Sequence, residues 1–154
     1  MGYGDSNGSR KFYGRQVTRI IELLEKYTSQ PTDLDKYLAI CAQLEQEPDP
    51  DKMPLTASDF PEEVQVAFFM YDLLSDKWDG TSGSYMGKDW VDCEFLFKLY
   101  EVEDQQTILY FMKMYERVVI NFRAQEAETQ RKTEERKAKA ASGGGQQYTH
   151  NVKG

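Results

Sequence analysis

Histidine and cysteine are nearly missing from this chain, and their scarcity removes whole classes of chemistry. His150 is the single histidine and lies in a polar tail, away from any Ser or Cys nucleophile. Without a second histidine, neither a catalytic triad nor a histidine-based zinc site is expected. Cys41 and Cys93 are the only cysteines, and their spacing is far beyond a C-x-x-C metal or redox pattern. Nothing at the start resembles a signal peptide, which predicts a cytoplasmic protein. Long apolar runs are also lacking: none approaches the roughly 18 residues that span a bilayer. The nearest, Val64 to Leu74, is interrupted by Gln65 and Asp72, so insertion into a membrane is excluded.

What is present is a core and an uneven charge. The chain has 154 residues, enough for one domain, and 10 Tyr, 8 Phe and 2 Trp that need burial. Its net charge of -7 is not spread evenly. Residues 1–20 carry four bases against one acid, residues 21–122 carry 8 bases against 21 acids, and residues 123–154 carry 7 bases against 4 acids. An acidic body between basic ends argues against nucleic acid and favours a protein partner with a basic face.

Spacing predicts helices. MGYGDSNGSRKFYG reads as a mobile arm through Gly14. Val17, Ile20, Ile21, Leu24 and Tyr27 form the stripe of a helix from about Arg15 to Thr28. After Pro31, with Thr32 as N-cap, a second stripe follows at Leu34, Tyr37, Leu38, Cys41 and Leu44, and the two helices could form an antiparallel hairpin. EPDPDKMPLTASD, with three prolines, is a crossing loop. Ser58 or Asp59 can cap a helix from Pro61 to about Ser75, which is apolar on most of its circumference and is the candidate central helix. Another helix is expected from Asp89 through Tyr100, and the longest one starts at Asp104, with its apolar stripe ending at Phe122. Residues 123–141 keep helix formers without a stripe and predict a solvated helical extension, followed by a disordered tail over 142–154. The expected architecture is therefore an all-α single domain of about five helices over residues 15–122, with a projecting C-terminal helix and disordered ends. A hairpin at Lys77 to Lys88 is the alternative to an irregular loop there.

Few motifs carry chemistry. SGSYMGKD, from Ser82 to Asp89, fails as a P-loop: the first glycine position holds Ser82, the magnesium-binding hydroxyl position holds Asp89, and the preceding segment reads as helix. Asp76 with Asp79 and Glu101 with Glu103 are carboxylate pairs, but no EF-hand register is met. No catalytic residue, cofactor or metal ligand is assigned, and enzymatic activity is not expected. The constellation singled out is Trp78, Tyr85, Met86 and Trp90, because a glycine-rich loop that holds both tryptophans of the chain has a reason to keep them. Either they fold back over the central helix as a lid, or they are partly exposed anchors of a protein-binding face. The amphipathic last helix also allows self-association.

FPEEVQVAFFMYDLLSDKWDGTSGSYMGKDW, followed by LYEVEDQQTILYFMKMYE, resembles small accessory proteins of large contractile-tailed phages, especially those infecting cyanobacteria. The resemblance covers about Pro54 to Val119 and lies in overall texture, so no functional residue is carried over. It implies a role in building the virion, as a tail or baseplate assembly chaperone or minor structural subunit, acting in the host cytoplasm or within the particle. An accessory protein that docks on host RNA polymerase is the second reading.

Overall fold

The computed structural model describes the backbone of residues 6–143 and the side chains of residues 14–143. Five helices and one small hairpin make the fold: α1 (Ser6–Ser29), α2 (Leu34–Gln43), α3 (Glu62–Leu73), β1 (Asp76–Trp78), β2 (Tyr85–Lys88), α4 (Cys93–Leu99) and α5 (Gln105–Gly143). The all-α class with a long last helix is as expected, and the segment between α3 and α4 takes the hairpin alternative. Helix α1 begins at Ser6, so part of the segment read as an arm is helical. Residues 1–5 and 144–154, on which the rest of the arm and most of the predicted tail fall, lie outside the described residues.

Helices α3 and α5 form the spine. The apolar character of most of α3's circumference has a direct cause, because it is buried on two sides. Val64 and Phe68 pack with Ile20 and Leu24 of α1 and Val118 of α5, while Met70 and Tyr71 pack with Cys93 and Phe97 of α4 and Met112 of α5. Phe111 and Tyr115 touch both clusters. An aromatic chain runs through this contact: Tyr27 stacks on Phe68 at 5.3 Å, and Tyr115 meets Phe68 and Tyr71 edge-on at 4.9 Å each. Such pairs add about 0.5–1.5 kcal/mol beyond area burial. Burial pushes the Tyr115 phenol up to about 12, so the core holds no ionised tyrosine at neutral pH.

Helix α2 departs from its reading. The main packing partner of α1 is α5. Of the predicted stripe only Cys41 is buried, and Leu38 and Leu44 are exposed. The crossing loop fixes its position instead: the Gln30 amide makes two 2.9 Å hydrogen bonds to the Leu55 backbone, and Tyr37 Oη accepts from Asp49 N at 3.1 Å. Two caps also differ. Asp33, not Thr32, caps α2 by accepting from Lys36 N at 2.9 Å. Before α3, Asp59 turns back to accept from Thr56 N at 2.7 Å, which leaves Pro61 at the N-cap. Asp104 caps α5 as predicted, accepting from Thr107 N at 3.2 Å.

From Arg123 to Gly143 every α5 residue is exposed, a projection of about 30 Å at 1.5 Å per residue. Ion pairs one turn apart support it, with Arg131 bridging Glu128 and Glu135 and Lys132 reaching Glu128 at 3.5 Å.

Candidate functional site

The four side chains singled out in the sequence all lie on the hairpin or just past it. Its turn is closed from within: Asp79 Oδ1 accepts from Thr81 N at 2.7 Å and Ser82 N at 3.3 Å, and Asp79 O accepts from Gly83 N at 2.9 Å. These backbone donors hold the Asp79 carboxyl below the usual aspartate value. The ladder pairs Asp76 with Lys88, Lys77 with Gly87 and Trp78 with Tyr85. Met86 is thereby an extra residue on β2, a bulge that turns its side chain outward.

The hairpin is clasped to the spine by groups that the sequence reading passed over. Glu116 of α5 is the centre: its Oε2 accepts from Lys88 N at 2.9 Å and from Trp90 Nε1 at 2.9 Å. Gly87 lies directly against it, buried and at φ +93°, and a Cβ there would stand 2.8 Å from Glu116 Oε2. Only glycine suits both the backbone angle and the gap. Cations of α5 complete the contact. Lys113 Nζ sits 3.7 Å from the Trp90 ring centroid, and the Arg123 guanidinium lies 4.0 Å from that of Tyr85. Glu116 is the sole acid of α5 between Gln105 and Gln125, and an isolated acid in an apolar helical stretch is the signal that could have found it.

A second network locks the two strands to α3. Lys88 Nζ is 3.1 Å from Asp76 Oδ1 and donates to Leu74 O at 3.1 Å. Tyr85 Oη donates to Asp76 Oδ1 at 3.0 Å, so its single proton is committed and Tyr71 must donate in the 3.1 Å contact between the two phenols. Partial burial works against the Asp76 carboxylate, but the bonds from Lys88 and Tyr85 outweigh it and hold the group below its ordinary value. Burial pushes the Tyr71 phenol well above the usual tyrosine range.

These contacts divide the constellation. Tyr85 and Trp90 are spent on internal bonds and are half-buried, which is the lid role. Trp78 and Met86 are each 56% exposed. Trp78 leans edge-on against Tyr85 at 5.1 Å, beneath Arg123 at 5.4 Å, so its outer face is free while its rotamer is supported.

The chemistry available elsewhere is limited. A cleft of about 620 Å³ opens between the end of α1, the start of α2 and α5, and its lining includes Tyr27, Tyr115, Phe122 and Asp33. Among the described residues no three His, Cys, Asp or Glu side chains converge as metal ligands, and no helix is long and apolar enough to cross a membrane. Burial raises the Cys93 thiol, with Lys113 opposing more weakly, so little thiolate exists at neutral pH. No family model, curated protein or solved structure matches the chain.

Proposed function

We propose that this protein is a non-enzymatic binding module that presents Trp78 and Met86 to a protein partner. The observation that carries the reading is the pairing of an exposed anchor with a rigid mount. Trp78 and Met86 stand outward from a hairpin whose inward groups are bonded to Glu116, Asp76 and Tyr71. Binding sites gain from such preorganisation, because little side-chain freedom is lost on association. Tryptophan is also among the residues enriched where binding energy concentrates.

The resemblance of Pro54 to Val119 to accessory proteins of contractile-tailed phages supplies the biological setting of the proposal. The partner is a virion structural protein, and the role is assembly chaperone or minor subunit. The acidic body suits a basic partner surface and speeds encounter with it. The alternative partner in this setting is host RNA polymerase, which the same acidity would also suit.

The test is retention from infected-cell lysate on the immobilised full chain. Wild type is expected to retain a virion structural protein, and the double variant Trp78→Ala/Met86→Ala to lose it. Retention of polymerase subunits instead would favour the alternative. Equal retention by wild type and variant would overturn the assignment of the hairpin.

A further inference from the structure

Helix α4 carries a second exposed apolar surface, separate from the hairpin's outer face. Phe95 and Leu99, one turn apart on α4, are 63% and 60% exposed, and Val91 in the turn leading into the helix is 83% exposed. On one flank the surface continues onto Tyr100 and across to Phe69 of α3, whose rings meet edge-on at 5.2 Å. Cys93 and Phe97 on the opposite side of α4 already anchor it to the core, so the exposed residues are not required for its attachment. Contiguous apolar surface of this kind on a folded domain marks an interaction site.

The charge around it selects the occupant. Residues 61–75 and 89–104, which carry this surface, contain nine carboxylates and one base, Lys98, and Lys113 of α5 adds a second base at the Val91 end. Lys98 is itself held by Glu94 at 3.2 Å. At the Tyr100 end, a cleft of about 340 Å³ has an apolar floor at Val66 and Ile108 and is ringed by Glu62, Glu63, Glu101 and Glu103. A second copy meeting this face through a two-fold axis would set the same acids against each other. An anionic lipid surface would be repelled likewise. We infer that this face receives a basic amphipathic helix of a partner protein, with apolar side chains over Phe95, Leu99 and Phe69 and its lysines or arginines at the acidic rim. Two helices packed this way fit ridges into grooves, and the spacing from Phe95 to Leu99 is one such ridge.

The experiment uses a fluorescein-labelled amphipathic helical peptide of leucine and lysine, roughly 18 residues or five turns long, titrated with the full chain and followed by anisotropy. Wild type is expected to bind. Phe95→Ser/Leu99→Ser is expected to weaken binding about tenfold or more, a loss worth a single good contact pair. Glu101→Lys/Glu103→Lys should weaken it several-fold and flatten its dependence on salt. Trp78→Ala/Met86→Ala should leave it unchanged, which separates this face from the hairpin assignment. Circular dichroism checks that each variant keeps its helix content. Absence of binding by wild type, or binding indifferent to Phe95→Ser/Leu99→Ser, would overturn the inference. Sedimentation velocity showing a dimer that Phe95→Ser/Leu99→Ser dissolves would overturn it too, by placing a second copy on the face.

Discussion

Glu116 ties the hairpin to α5. Replacing it by alanine strips the acceptor from Lys88 N and Trp90 Nε1, and the loss of a half-buried, charge-assisted acceptor costs about 1–3 kcal/mol. Urea unfolding should register that loss, together with changed tryptophan emission, while Glu116→Gln, which keeps an acceptor, should lose less. Gly87→Ala is expected to cost about 1–3 kcal/mol through its positive φ and the 2.8 Å approach to Glu116. Asp76 gives the pH dependence. Its folded value is depressed, so its contribution to stability is present above the ordinary aspartate value of about 3.9 and is lost as pH falls through the folded value. Near-ultraviolet circular dichroism of the hairpin aromatics should therefore change below about pH 4, and Asp76→Asn should remove that part of the acid sensitivity. Trp78, Tyr85, Met86 and Trp90 were visible in the sequence as a group, but their division into inward and outward pairs was not. That division depends on Glu116, which lies 26 residues from Trp90, and on a bulge that no local pattern announces.

Helices were legible wherever one face meets the core. Val17 to Tyr27 and Ile108 to Phe122 recur at helical spacing because α1 and α5 each bury a single stripe against the other and α3. Helix α2 shows the limit of that logic: its stripe is as regular, yet Leu38 and Leu44 remain exposed because the crossing loop, through Gln30 and Tyr37, sets where it sits. Periodicity states which face is apolar, not whether anything covers it. The α5 extension makes the same point from the other side, since it is helical with no apolar face. As every described residue from Arg123 onward is exposed, truncation after Gln125 should leave the stability of the body within about 0.5 kcal/mol of wild type. Thermal unfolding of the two chains tests this, and a large drop would mean that the extension folds onto the body.

On the scale of the whole molecule, the described residues include 17 buried core residues and 14 large hydrophobics left substantially exposed. That ratio explains how the composition could predict a real core and still leave function open: the total of apolar residues is fixed by sequence, and their partition is fixed by topology. The acidic body is the same on either view, so it constrains partners more firmly than any motif does. The double variant Trp78→Ala/Met86→Ala is expected to cost only about 1 kcal/mol of stability, the edge-on contact of Trp78 with Tyr85, because neither side chain belongs to the core, while weakening partner binding by about 2 kcal/mol or more. The most direct measurement is photo-crosslinking from a benzophenone amino acid at position 81 in the hairpin turn, which leaves Trp78 and Met86 in place, in lysate of cells that contain the partner, with position 135 on the solvated extension as control and adducts identified by mass spectrometry. A discrete protein adduct formed from position 81 and not from 135 is the predicted result, and position 81 yielding no protein adduct above the control would contradict it.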